Sequence, residues 1–217
     1  MTLKRSIQVA LAALALGTAG IASAAVITLD FEGIADQAAV GNFYSAKGVE
    51  FSGDTLALVD ADASGTGNFA NEPSANTIMF FLDSNSAILN YAAGFTTGFS
   101  FYYSSSVRTF VEVFDGLDGG GTSLGKIDLS DQYTSNCVGD PTGAFCNWTN
   151  AGVSFAGTAK SIVFSGAANV TGFDNITFGS AVACTVDCNP APIPEPATLA
   201  LVGAALLGLS AGRRRKF

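Results

Sequence analysis

The sequence contains no histidine among its 217 residues. That removes the Ser-His-Asp triad, the Cys-His dyad and every histidine-ligated metal centre, all of which need an imidazole. Catalysis would have to rest on carboxylates alone, as in glycoside hydrolysis. The acids that stand close together, Asp60 with Asp62 and Asp115 with Asp118, fall in glycine-rich turns, where acids usually serve the local backbone. The expectation is therefore a protein that is not an enzyme. Positive charge is scarce as well. Ten Lys and Arg stand against 18 Asp and Glu, and six of the ten are at the extremities: Lys4, Arg5, Arg213, Arg214, Arg215 and Lys216. Between Arg5 and Arg213 four bases face 18 acids, a formal charge of −14. So acidic a surface repels nucleic acid, which is excluded as a partner, and favours solubility and cations. Helical periodicity is missing too: outside the two ends no stretch sustains a repeat of about 3.6 residues.

The two ends are apolar. Lys4 and Arg5 precede the run Ile7 to Ile21, and Ala22-Ser23-Ala24 follows it. This is the layout of a secretory signal peptide over residues 1–24, cut after Ala24 or, as second choice, after Ala25. At the other end Pro194-Glu195-Pro196 precedes an uncharged run from Ala197 to Gly212, then Arg213-Arg214-Arg215-Lys216-Phe217. As a helix that run reaches roughly 24 Å, short of a hydrocarbon core of about 30 Å. It suits a temporary hold better than a permanent anchor. By the positive-inside rule the arginines stay cytoplasmic and everything upstream lies on the far side.

This order of Pro-Glu-Pro, short apolar helix and terminal arginine cluster resembles the PEP-CTERM sorting signal of bacterial envelope proteins. The resemblance implies that a membrane transpeptidase, exosortase, recognises Pro194, Glu195 and Pro196. It also implies that Arg213, Arg214 and Arg215 act as the membrane stop, and that the helix is removed after export. Membrane contact would then be transient, and the product would reach the cell surface or extracellular matrix. The rival reading of the same residues is an ordinary tail anchor.

Residues 25–183 read as one β domain, 184–193 as a Cys/Pro-rich linker and 194–217 as the sorting segment. From Asn189 to Pro194 proline stands at alternate positions, Pro190, Pro192 and Pro194, which makes this stretch an extended spacer. Within the domain, short runs of Val, Ile, Phe, Tyr and Thr alternate with clusters of Gly, Asn, Asp and Ser. Strands are expected near 26–31, 49–52, 55–59, 77–82, 86–91, 95–103, 108–114, 123–129, 152–156, 160–165 and 171–178. The glycines of Asp115 to Gly121 supply the positive φ that a hairpin turn needs. Many short strands in one domain predict an all-β, two-sheet sandwich, jelly-roll-like, flanked by a signal helix and a C-terminal transmembrane helix.

The four cysteines all fall in the exported part, where an oxidising environment and an even count favour disulfides. Proximity pairs Cys137 with Cys146 and Cys184 with Cys188. A metal site is the rival, but the spacings match no zinc pattern. Trp148, the single tryptophan, is a candidate sugar-stacking platform or a buried anchor beside the disulfide loop. Tyr102 and Tyr103 are further aromatic candidates.

Leu29-Asp30-Phe31-Glu32-Gly33 and Gly172-Phe173-Asp174-Asn175-Ile176-Thr177-Phe178 resemble the paired first and last strands of jelly-roll carbohydrate-binding modules. There an acid from each strand holds a structural calcium. The resemblance implies that Glu32 and Asp174 are ligands, with Asp30 or backbone carbonyls completing the shell. Calcium takes six to eight oxygens, so such a set is chemically reasonable. Strand alternation, however, would put Asp30 and Glu32 on one face, where both could simply meet solvent. The loop Asp60-Ala61-Asp62-Ala63-Ser64-Gly65 copies the start of an EF-hand, yet Asn71 stands where the closing Glu belongs, which makes a plain acidic loop the better reading. No cofactor is required, with structural Ca²⁺ the one candidate. Two functions follow: a non-enzymatic envelope or matrix protein delivered by its C-terminal signal, or a secreted carbohydrate-binding module for extracellular polysaccharide.

Overall fold

The computed structural model describes residues 26–132, 137 and 143–185. The expected signal peptide, most of the linker, the sorting segment and Cys188 lie outside them. Among the described residues no helix is long and apolar enough to cross a membrane.

Nine strands are found among the described residues: β1 (Ile27–Leu29), β2 (Val49–Phe51), β3 (Thr55–Val59), β4 (Thr77–Phe81), β5 (Ser86–Ser105), β6 (Thr109–Phe114), β7 (Ser123–Leu129), β8 (Thr149–Ser165) and β9 (Thr171–Phe178). The eleven expected segments become nine because two neighbouring pairs fuse, 86–91 with 95–103 and 152–156 with 160–165. At the fusion in β5 the ladder to β8 shifts register between Asn90 and Phe95 and again before Thr97. Gly94 (φ 76°) and Thr97 (φ 82°) supply the left-handed backbone there. The strand bends at these bulges instead of stopping.

The bend gives the molecule its two layers. The first half of β5 pairs with β2 and with the end of β8, whose other edge carries β6 and then β7. The second half of β5 pairs with the start of β8 and with β9, and β9 carries β1 and β4, with β3 outermost. One continuous sheet thus folds over itself into an all-β sandwich, its strands passing between layers at bulges.

Phenylalanine fills the space between the layers. Phe164 of β8 meets Phe173 of β9 edge-on at 4.8 Å and Phe101 of β5 at 6.0 Å. Phe99, Phe101, Phe164 and Phe173 are wholly buried. Each such ring contributes about 1.5–3 kcal/mol by leaving water, with edge-to-face contacts adding roughly 0.5–1.5 kcal/mol more.

The chain leaves the domain along a strap, residues 179–184, laid on the β5/β8 ladder. Gly179 N–H donates to Gly98 O at 2.9 Å, Ser100 Oγ to Ser180 O at 2.8 Å and Asn150 Nδ2 to Ala183 O at 3.3 Å. Glycine makes room for it: a Cβ on Gly98 would stand 2.7 Å from Ala181 N, and one on Gly152 would run into the Ala181 carbonyl.

Candidate functional site

The first and last strands pair directly, Leu29 opposite Ile176 and Ile27 opposite Phe178. Beyond Leu29 the first strand ends early, because Phe31 takes φ 62° and breaks the alternation. Asp30 and Glu32 therefore do not share a strand face, as unbroken pleating would require. Phe31 is held in this left-handed conformation by full burial and by its N–H, which donates to Tyr44 Oη at 2.6 Å. Non-glycine residues pay strain of order 1–3 kcal/mol for such backbone. In β9, Asn175 takes φ 47°, and the ladder to β5 slips there: Ser100 faces Thr177 but Tyr102 faces Asp174. The bulge leaves Asp174 fully buried.

The two irregular turns converge on Ser74, in the loop before β4. Asp174 Oδ2 accepts from Ser74 N–H at 2.7 Å, and its Oδ1 accepts from Asn175 N–H at 2.6 Å. Glu32 Oε1 accepts from the N–H groups of Asn76 at 2.9 Å and Thr77 at 2.8 Å. The Ser74 hydroxyl sits among four oxygens: Asp174 Oδ1 at 2.9 Å, Asp30 O at 3.1 Å, Glu32 Oε1 at 3.2 Å and Thr77 O at 3.3 Å. One hydroxyl proton satisfies one of the four. Both carboxylates also hold backbone N–H donors, and the gathered oxygens are of the kind a hard cation prefers.

Burial raises the Asp174 carboxyl to about 7; the hydrogen bonds from Ser74 and Asn175 oppose the shift and the nearby Glu32 charge adds to it. Glu32 and Asp174 meet at Ser74, whereas Asp30 brings its carbonyl, while its carboxylate accepts from Tyr44 Oη at 3.4 Å. Among the described residues no three acidic or cysteine side chains gather as a metal-binding group. The oxygen set is thus two carboxylates, two carbonyls and a hydroxyl, which fits calcium and suits no softer ion. Ser74 and Thr77 were not legible beforehand, since one acts through an ordinary loop serine and the other through its backbone.

Nearby, burial raises the Glu72 carboxyl to about 7, helped by the charges of Asp60, Asp62 and Glu32. The Asp60 to Gly65 loop is a closed turn: Ala63 and Gly65 N–H donate to Asp60 O at 3.1 and 2.8 Å. It contributes no oxygen to the Ser74 cluster.

Cys137 and Cys146 are joined by a disulfide. Cys184 is disulfide-bonded as well, and its expected partner, Cys188, lies outside the described residues. Two residues after Cys146, the half-buried Trp148 donates Nε1–H to Ala70 O at 3.1 Å and meets Phe69 edge-on at 6.2 Å. The indole lies over Gly172, where a Cβ would stand 3.2 Å away. Tyr103 is buried, with its hydroxyl 3.4 Å from Ser130 Oγ, whereas Tyr102 is half-buried.

Beside Trp148 the outer face of β3, β4 and β9 carries a small depression of ≈ 30 Å³. The buried Phe69, Ile78 and Phe80, the half-buried Phe145 and the exposed Asn68 and Asn169 are among the residues that line it. No ionisable side chain is among the described residues that line it.

Residues 192–216 match the family described as the PEP-CTERM protein-sorting motif. The C-terminal segment is a PEP-CTERM sorting motif. It implies an exported protein whose precursor is held at the membrane, and exosortase as the processing partner. No curated protein matches the chain. Among solved structures, the chain is similar to a family 6 carbohydrate-binding module of Clostridium stercorarium in complex with cellobiose, at 16% identity and TM-score 0.39, covering 70% of this chain and 92% of that one. A module of Cellvibrio mixtus lichenase 5A in complex with cellotriose gives 13%, TM-score 0.37, 71% and 96%. A family 6 module of Clostridium cellulolyticum in complex with xylose gives 15%, TM-score 0.36, 70% and 95%. At these TM-scores the overlap is partial, and the all-β sandwich rests on the strand pairing above. The PEP-CTERM motif adds an address to that fold.

Proposed function

We propose that this is an exported, non-enzymatic cell-envelope or matrix protein, delivered and trimmed through its PEP-CTERM motif. The observation that carries the reading is the match at residues 192–216, joined to an acidic β-sandwich with a disulfide between Cys137 and Cys146. The non-enzymatic part is supported by the absence of histidine; of the two carboxyls raised to about 7, Asp174 is fully buried and Glu72 is half-buried. In this reading Glu32, Asp174 and the carbonyls of Asp30 and Thr77 hold a structural calcium, with Ser74 Oγ beside it. The ion would neutralise the acids that join the first strand to the last.

A second reading, a carbohydrate-binding module for extracellular polysaccharide, is supported by the uncharged surface beside the half-buried Trp148. The test of the first reading replaces Pro194, Glu195 and Pro196 together with alanine in an export-competent host. The protein should then accumulate as a membrane-bound precursor. Normal release of the triple variant would overturn the sorting role.

A further inference from the structure

We propose that the outer edge of β7 pairs with the same edge of a second copy of this chain. The two-fold axis passes through Ile127 and sets Lys126 of each copy opposite Asp128 of the other. The inference stands apart from the sorting and carbohydrate readings. Three observations lead to it. First, the fold covers other strand edges and leaves this one bare. Residues 37–40 lie along β3, with Val40 N–H donating to Thr55 O and Ala57 N–H to Ala38 O, both at 2.9 Å. Beside β2, Gly41 O accepts from Phe51 N–H at 2.9 Å. β7 pairs with β6 on one side, and among the described residues its backbone makes no other hydrogen bond. The chain that follows β7 crosses to the other layer, where Gln132 N–H donates to Ser105 O at 2.8 Å. A second bare edge, residues 149–155 of β8, runs nearby, since a Cβ on Gly125 would stand 2.9 Å from Val153 Cγ2.

Second, the edge is regular. Residues 125–129 pair with β6 in unbroken register, Gly125 opposite Val113 and Leu129 opposite Thr109, and the shift comes only toward Ser123. A regular edge offers its outward N–H and C=O groups as a template for another strand. Third, the charges are self-complementary. Ile127 and Leu129 are buried, so alternation turns Lys126 and Asp128 to the solvent face. Antiparallel pairing centred on Ile127 sets 126 opposite 128 twice, and opposite charges across strands attract. A shift of one residue faces Lys126 with Ile127, and a shift of two sets lysine on lysine. Within one chain Lys126 Nζ stands 3.4 Å from Asp128 Oδ1, with the side chains 48% and 84% exposed. So exposed a pair contributes little by itself and is free to be shared. A lysine on an edge strand ordinarily opposes pairing. Here it finds an acid in one register of its own edge and none on residues 149–155, which carry no charge. The product is a closed, two-fold dimer whose sheet continues from one copy into the next.

The experiment is sedimentation equilibrium of the full chain in a detergent matched in density to the buffer. Four forms are compared: wild type, Lys126→Asp, Asp128→Lys and the swap Lys126→Asp/Asp128→Lys. The wild type should dimerise reversibly. Each single variant sets like charges opposite each other at both positions and should weaken the dimer roughly tenfold or more. An equimolar mixture of the two single variants should associate again, because each acid then meets a lysine, and the swap should dimerise on its own. Recovery in the mixture also shows that the single variants are folded. Hydrogen exchange at the amides of 124–128 should slow as the wild-type concentration rises. A monomeric wild type would overturn the proposal. So would a dimer of equal strength in both single variants, which places the contact elsewhere, on residues 149–155 or the apolar C-terminal run. Weakening in the single variants with no recovery in either the mixture or the swap would overturn the two-fold register.

Discussion

The backbone N–H of Ser74 donates to Asp174 Oδ2 at 2.7 Å across 100 residues of sequence. The same serine hydroxyl stands 3.2 Å from Glu32 Oε1, so one loop residue ties the first strand's acid to the last strand's. Two carboxylates and two carbonyls share that hydroxyl, and the account of this end of the sandwich depends on what else they hold.

If calcium occupies the site, its removal lowers stability. At a free concentration about 100-fold above the dissociation constant, a ligand of the native state contributes about 2.7 kcal/mol. For a domain of this size that corresponds to roughly 5–10 °C in melting temperature. Melting curves with Ca²⁺ and with chelator should differ by this much in the wild type and coincide in Glu32→Gln. Coincident wild-type curves would remove the ion from the account.

Without the ion, Asp174 sets a pH dependence of definite sign. Its carboxyl is raised from 3.8 to about 7 in the fold. Between these values the folded chain keeps a proton that the unfolded chain releases, so stability is greatest below about pH 4, falls as pH rises to about 7, and is level beyond. In chelator, urea midpoints of the wild type should decline over that window more steeply than those of Asp174→Asn. Parallel profiles would show that the buried carboxyl does not titrate as described.

Most of the strand pattern was legible, and the site only in its acids. Phe110-Val111-Glu112-Val113-Phe114 alternates as written, and β6 runs Thr109–Phe114 with Val111 and Val113 buried. Local pattern sees only neighbours along the chain. It could not show that β5 and β8 continue through bulges at Gly94 and Thr97, since the partner strand holds the ladder together there. Nor could it place Phe31 in left-handed backbone, a conformation imposed by the Tyr44 hydroxyl and the core. The acids Glu32 and Asp174 were visible as residue types. Ser74 and the carbonyl of Thr77 were not, because any loop serine and any backbone would read the same.

Trp148 holds a loop. Trp148→Ala loses the bond to Ala70 O and the cover over Gly172, and should cost about 2–4 kcal/mol. Urea unfolding checks this. An unchanged midpoint would make the indole a surface platform with no structural share.

Gly152→Val tests the strap. A branched side chain there meets the Ala181 carbonyl, so residues 179–184 must lift from the β5/β8 ladder. Hydrogen exchange should quicken at Gly179 and Cys184, whose amides donate to Gly98 O and Thr177 Oγ1, while the β6 core stays protected. Unaltered exchange at these amides would show that the glycine is not needed for the close approach.

The most direct test of the whole account is the intact mass of the protein recovered from the cell surface or medium of an export-competent host. The recovered chain should begin at Ala25 or Val26, end before Arg213 and take up no thiol reagent. A full-length mass that retains Arg213 to Phe217 in surface material, or a cytosolic chain with free thiols, would contradict it.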